Sequence, residues 1–99
     1  MYGTVARLRL KPGMESKFRD LAKSYESLKI PGHVSTTVYR LDAGNDEYVM
    51  AVVFADKASY EKNADSPEQD KRYQEMRALL AADPQWMDGE VIYTGSVSA

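Results

Sequence analysis

Few side chains in this chain could do chemistry. Tyr60 could orient or protonate a substrate oxygen through its phenol. Equally, its ring could pack under a short helix with the hydroxyl reaching water. His33 is the sole imidazole. An imidazole suits proton transfer near neutral pH. Because His33 follows Pro31-Gly32, a turn residue at the solvent edge is the stronger reading. A lone His with no metal-ligand spacing around it builds no metal site, so none is expected. Trp86 follows Asp83-Pro84 and could clamp a ligand, line a dimer interface or anchor the next strand. Tyr25 and Tyr73 fall on helical stripes, where core packing is the better reading. Arg7 and Arg9 share one strand face. They could hold a carboxylate or phenolate, but surface or interface ion pairs are the simpler expectation. Met50, Met76 and Met87 are expected to fill gaps in a core or pocket wall.

Composition narrows the classes further. A chain of 99 residues makes one domain, residues 1–99, that buries roughly 60–65% of its unfolded surface. The net charge is −2, with Lys and Arg scattered among Asp and Glu. No basic face is available for nucleic acid or an anionic membrane, so neither is an expected partner. There is no cysteine, which removes thiolate nucleophiles, thiolate metal sites and disulfides and fits a cytoplasmic protein. The chain starts without a signal-like basic and apolar run, and no apolar stretch approaches membrane-spanning length. Phosphate-loop, dinucleotide-binding, nucleophile-elbow and zinc-protease motifs are absent from the sequence.

The elements that must position these side chains are legible from periodicity. Residues 1–10 alternate as a strand, with Thr4, Ala6, Leu8 and Leu10 on the face suited to helices. Lys11-Pro12-Gly13 ends it. Residues 13–29 read as an amphipathic helix with Met14, Phe18, Leu21, Ala22, Tyr25 and Leu28 on one stripe. Ile30-Pro31-Gly32 stops that helix. Residues 33–41 and 47–55 read as a hairpin joined by a polar turn. Helical sequence runs over 57–82. Asp56 caps its first, short piece over 57–62, and Ser66, Pro67 and Gln69 form a capping box and first turn for the next. Residues 90–97 read as a last strand, with 85–89 leading into it. Two β–α–β halves predict an α+β, ferredoxin-like, four-stranded antiparallel sheet with helices on one face.

One segment breaks the alternation. Tyr48-Val49-Met50-Ala51-Val52-Val53-Phe54 is apolar throughout, as in a strand buried on both faces. A sheet with helices on one side needs a cover for the other. For so small a chain the simplest cover is a second copy, so a homodimer through the open sheet face is expected.

The order of these pieces resembles a known family. Lys11-Pro12-Gly13, Pro31-Gly32 and Phe54-Ala55-Asp56-Lys57-Ala58-Ser59-Tyr60 carry the resemblance by their order and spacing, over nearly the whole chain. It is similar to the antibiotic biosynthesis monooxygenase domain of the dimeric α/β-barrel superfamily. The resemblance implies two monomers packed sheet to sheet, each with a pocket between sheet and helices for a small aromatic or polyketide-like molecule. Some members oxidise quinol-type substrates with oxygen and no cofactor, and others cleave haem. Cofactor-free members use an Asn and a Trp on the third strand and a Tyr just after it. Here Met50 and Phe54 stand at the first two places, and only Tyr60 keeps its type. Haem-degrading members need an Asn on the first strand, and a Trp and a His on later helices. Here Ala6 stands at the first place, Tyr73 stands near the His position, and those helices hold no Trp, which argues against haem cleavage.

The resulting expectation is a monooxygenase-like dimer that uses no cofactor and binds a compact apolar or aromatic molecule. Phe18, Met50, Val52, Phe54, Tyr60 and Tyr73 would line its pocket, with Trp86 as a clamp. Tyr60 would bond the developing oxyanion, and His33 is a distant candidate base. A non-catalytic dimer that binds or sequesters a metabolite, or serves as a stress or accessory protein, is the first alternative. An isomerase or cyclase acting on a lactone-like substrate is the second. Oxygen uptake, ligand binding without turnover, and anaerobic product formation separate the three.

Overall fold

The computed structural model describes residues 1–97 of the protein. The first segment forms strand β1 (Tyr2–Arg9), and the helix α1 (Glu15–Ser27) follows. The hairpin is β2 (His33–Arg40) and β3 (Glu47–Phe54). Two helices, α2 (Lys57–Ala64) and α3 (Pro67–Arg77), then lead to β4 (Gln85–Glu90). The strands form one antiparallel sheet in the order β2-β3-β1-β4, the ferredoxin-like arrangement.

The registers sort every strand residue onto one of two faces. Toward the helices lie the rows Val38–Met50–Ala6–Trp86 and Thr36–Val52–Thr4–Asp88. The core is built on that side. Ala6, Leu8, Leu10, Tyr48 and Met50 pack there with Phe18 of α1, Met76 of α3, and Leu80. Away from the helices lies the row Thr37–Ala51–Val5–Met87, with Val49 and Val53 on either side of Ala51. In the single chain Val49, Ala51 and Val53 are only half-buried, and Val5 and Met87 are exposed. The third strand is therefore apolar on both faces, as expected, and one of those faces has no cover among the described residues.

The last strand departs from expectation. It forms at Gln85–Glu90, where a lead-in loop was expected, and residues 91–97 form no strand. Asp88-Gly89 carries a turn signal. As the edge strand it is exposed at every position, so no alternation of apolar residues marks it. Val91 adds one bond to the carbonyl of Met1, and beyond it Ile92, Tyr93 and Val97 stand almost fully exposed. Met87, expected to fill a core or pocket gap, is 58% exposed on the open face. Leu28, expected on the buried stripe of α1, lies just past the last helical turn and is exposed.

Local chemistry sets the helix ends. Asp56 accepts the Ser59 N–H at 2.7 Å and caps α2. The Ser66 hydroxyl accepts the Gln69 N–H at 3.1 Å, and Pro67 opens α3. The expected capping box is only half made, because the Gln69 side chain turns instead to Asn63 and Arg72. Gly32 has a φ of +83°, and a Cβ there would collide with the Ser59 side chain, so this turn needs glycine.

Glu15 ties the start of α1 to the sheet. Its carboxylate accepts from Arg40 Nε and Nη2 at 2.5 and 2.7 Å and from the Tyr48 hydroxyl at 2.8 Å. The Arg40 guanidinium, then the Tyr48 hydroxyl, hold its carboxyl down from 4.5 to about 2. A depressed carboxyl contributes stability above its unfolded pKa and loses it as pH falls through the folded value. The urea midpoint should therefore drop as pH falls from 4.5 toward 2. Glu15→Gln should flatten that drop while lowering the midpoint at neutral pH. Parallel pH profiles for the two proteins would reject this role.

Candidate active site

Between the helix-bearing face of the sheet and α1, α2 and α3 lies a cavity of about 1170 Å³. That is at or above the upper end of small-molecule pockets. All eight residues expected to form a site line it: His33, Tyr60, Phe18, Met50, Val52, Phe54, Tyr73 and Trp86. Their roles follow from what each touches.

Aromatic rings make one end of the cavity. The ring of Phe54 lies 5.5 Å from His33 and 5.6 Å from Tyr60, and Tyr2 lies 5.2 Å beyond Tyr60. Register explains the cluster, since His33, Phe54 and Tyr2 occupy one row across three strands. The α2 helix then lowers Tyr60 onto that row. Tyr73 of α3 and Trp86 of β4, 6.4 Å apart, form a second aromatic pair along the wall. Trp86 thus joins the cavity through the strand that sequence reading placed too late.

His33 is half-buried at the start of β2. Its Nε2 lies 2.7 Å from the Thr36 hydroxyl, and its backbone N–H donates to the Ile30 carbonyl. It closes the Pro31-Gly32 turn, its contact with Thr36 is exposed, and it also lines the cavity.

In the row Thr36–Val52–Thr4–Asp88 the two threonines and Val52 line the cavity, and Asp88, exposed on the edge strand, lies just outside that lining. The Tyr60 hydroxyl donates to Asp88 Oδ1 at 2.9 Å. Burial, and then the Asp88 carboxylate, push the phenol up to about 12. Tyr60 is therefore a protonated phenol at neutral pH, suited to donate and not to abstract. Directly across the register from Asp88 sits Thr4. It is 6% exposed and lines the cavity; among the described residues its buried Oγ1 makes no well-formed hydrogen bond, although it sits close enough to the Tyr60 phenol to offset part of that upward push. Buried polar atoms are normally paired, so an orphan hydroxyl beside a phenol marks a place for a ligand oxygen or a water.

Sequence reading missed Thr4, Asp88 and Arg72 as site residues. Thr4 did leave a signal, as the one polar side chain on a face otherwise Ala6, Leu8 and Leu10. Asp88 was masked by its Asp-Gly turn signature. Tyr25 lines the cavity as well as packing, and its hydroxyl donates to the Arg72 carbonyl at 2.6 Å. Arg7 and Arg9 lie outside the cavity, where both face Glu47, Arg9 at 2.9 Å and Arg7 at 3.9 Å. Among the described residues no group of three or more His, Asp or Glu could hold a metal ion.

Known proteins share this architecture. SnoaB, a cofactor-independent oxygenase from Streptomyces nogalater, is similar at a TM-score of 0.78 and 18% identity over 94% of each chain. A conserved protein from Methanosarcina mazei Go1 is similar at 0.74 and 21% over 89% of each chain. A candidate antibiotic biosynthesis monooxygenase from Caulobacter crescentus CB15 is similar at 0.77 and 15%, over 93% of this chain and 90% of that one. At these identities the likeness is one of fold. No curated protein matches the chain. The sequence pattern of one family does match, over residues 1–75, which span β1 through most of α3 and all but one of the expected site residues. By that match the chain belongs to the antibiotic biosynthesis monooxygenase family.

Proposed function

We propose that this protein binds an aromatic, quinol-type molecule in the cavity and oxidises it with oxygen, without a cofactor. The observation that carries this reading is the protonated Tyr60 phenol beside the orphan Thr4 hydroxyl, inside a largely aromatic and aliphatic cavity. Family membership and the likeness to a cofactor-independent oxygenase support it.

The chemistry runs on the substrate's own electrons. A quinol-type methylene flanked by aromatic rings loses a proton to give a stabilised carbanion, its charge shared with a substrate oxygen. Tyr60 and Thr4 donate to that oxygen and lower the cost of ionisation. The carbanion's electron pair reduces oxygen, a C–O bond forms, and the peroxide takes up a proton. Loss of the second methylene proton with cleavage of the O–O bond releases water and leaves a carbonyl. One methylene and one dioxygen thus become one carbonyl and one water. His33, at the cavity wall, is the one imidazole available to receive the first proton, but its bond to Thr36 makes it the weaker assignment. Oxygen uptake with a dihydroxyanthrone tests the reading. Stoichiometric uptake with carbonyl product supports it, and an enzyme-independent rate rejects it.

A second reading has its own observation. Met50 and Phe54 stand where cofactor-free members of the family carry Asn and Trp, and the resting Tyr60 proton is committed to Asp88. Both features favour a dimer that holds a metabolite without converting it. Saturable binding of the anthrone with no turnover would select this reading.

Either way we propose a homodimer formed through the open sheet face, which presents Val5, Val49, Ala51, Val53 and Met87 uncovered. Contiguous apolar faces of this kind mark association surfaces. Val5→Asp, at the centre of that face, should turn a dimer into a monomer in sedimentation velocity at micromolar concentration. A monomeric wild type would reject the dimer. The absence of cysteine suits the reducing cytoplasm, where we place the protein.

A further inference from the structure

Arg72 is a cavity residue that the proposed oxidation leaves unused. It lies on α3, half-buried, and lines the cavity. Its Nε donates to Gln69 Oε1 at 3.1 Å and its Nη2 to Asn63 Oδ1 at 3.1 Å. Asn63 Nδ2 in turn donates to Gln69 Oε1 at 3.3 Å, which locks the two amides together. Gln69 gives up its half of the α3 capping box to make this arrangement.

The partners are neutral. Among the described residues no carboxylate comes within 4 Å of the guanidinium, whereas Arg9, Arg19, Arg40 and Arg77 each have one. Glu75 acts on the nearby Tyr25 hydroxyl but forms no ion pair with Arg72. Two amides fix the guanidinium plane without cancelling its charge. They occupy Nε and one N–H of Nη2, which leaves the Nη1 group and its shared edge with Nη2 unspent. A half-buried cation without a counter-charge is costly, and a planar fork with one edge free matches a carboxylate bidentately. The surroundings agree in sign. Lys23 and Lys29 also line the cavity, against Glu26 and Asp70, in a chain whose net charge is −2.

We infer that Arg72, held by Asn63 and Gln69, is an anion anchor, and that the natural ligand is an aromatic molecule bearing a carboxylate. This rests on the cavity being the binding site, as proposed above, and adds the charge of the molecule it takes. Arg72 sets which ligand enters and how it lies, while Tyr60 and Thr4 meet its oxygen elsewhere in the cavity.

The test is a fluorescence titration of the full chain with 2-naphthoate and its neutral isostere 2-naphthamide. The wild type should prefer naphthoate about 10- to 100-fold, the range for a charge-assisted pair. Raised salt should shrink that preference. Arg72→Gln should abolish it, chiefly by weakening naphthoate, and Arg72→Lys should restore part of it. Equal affinity for the two probes in the wild type, or a preference that survives in Arg72→Gln, overturns the anchor. If naphthamide binds with no preference, the cavity reading stands and the anchor alone falls. If neither probe binds, both fall together. Should Arg72→Gln fail to fold by circular dichroism, the wild-type ratio and its salt dependence decide alone.

Discussion

Gly3→Ala should cost this protein about 3 kcal/mol, at the upper end for overpacking, because the new atom meets backbone. A Cβ at position 3 would collide with the Val52 carbonyl oxygen, and would lie 2.9 Å from its carbonyl carbon and 3.1 Å from the Val53 Cα. A crowded side chain can change rotamer, but a paired strand cannot. β1 and β3 would have to separate at their junction, where β1 is central in the sheet and pairs on both sides. Native stability for a chain of this length is only about 5–15 kcal/mol, so the loss is a large fraction of it. Gly89 provides the control. It sits opposite Gly3 on β4, and a Cβ there meets nothing within 4 Å. Gly89→Ala should change stability by about 0.5 kcal/mol or less. Denaturant midpoints for the two variants check the contrast, and a Gly3→Ala protein as stable as wild type would show that the strands can shift freely.

Tyr60→Phe should lower turnover of an oxidisable quinol about 100-fold, the scale of losing one donor to a developing oxyanion. The ring stays in place against Tyr2 and Phe54, so ligand affinity should change little. The fold should lose about 1 kcal/mol, since the bond given up runs to the exposed Asp88. A pH profile separates a donor from a structural role. With its phenol pushed up to about 12, Tyr60 stays protonated through neutrality, and activity should fall only as pH rises toward that value. The Phe variant should lack that alkaline limb. A tyrosine pKa raised from 10.0 to about 12 also stabilises the fold below pH 10 and withdraws that stability as pH climbs through 12. Burial lifts Tyr25 to about 12 as well, so unfolding must be followed alongside turnover. Unchanged turnover in Tyr60→Phe, with product confirmed, would remove Tyr60 from the reaction.

Asp88 gains its meaning from the same geometry. It holds the Tyr60 hydroxyl at 2.9 Å. In the proposed reaction a ligand oxyanion would compete with this carboxylate for that proton, so Asp88 would both position the phenol and restrain it. Among the described residues the Thr4 hydroxyl makes no well-formed bond and faces only the Tyr60 phenol.

Much of this was legible in the order of residues. Period-two and period-3.6 patterns respond to local burial, so β1, α1, β2 and β3 could be placed within a few residues of their bounds. The Asp56 and Ser66 caps could be named because capping is a contact between near neighbours in the chain. The unbroken apolar run of β3 announced a sheet with two faces to cover. The cavity-lining residues Phe18, Met50, Val52, Phe54, Tyr60 and Tyr73 were nameable because the family resemblance implies a pocket between sheet and helices, where side chains of the third strand and the helical stripes meet.

What the chain order alone did not decide depends on registers between distant segments. β4 lies at an exposed edge, where no burial writes a pattern into its residues. Only its pairing with β1 puts Trp86 beside Ala6 and Asp88 beside Thr4. The Tyr60–Asp88 bond spans 28 positions, and among the described residues the Thr4 hydroxyl is left without a well-formed bond because the nearby Tyr60 phenol is turned to Asp88. Arg72 looks like any solvated helix cation until the fold turns it inward and gives it two amides in place of a carboxylate. Local propensity determined β1, α1, β2, β3 and the helix caps, and the faces of those elements. Tertiary packing alone decided which polar groups were left unpaired, because satisfaction is a property of neighbours in space and not of neighbours in the chain.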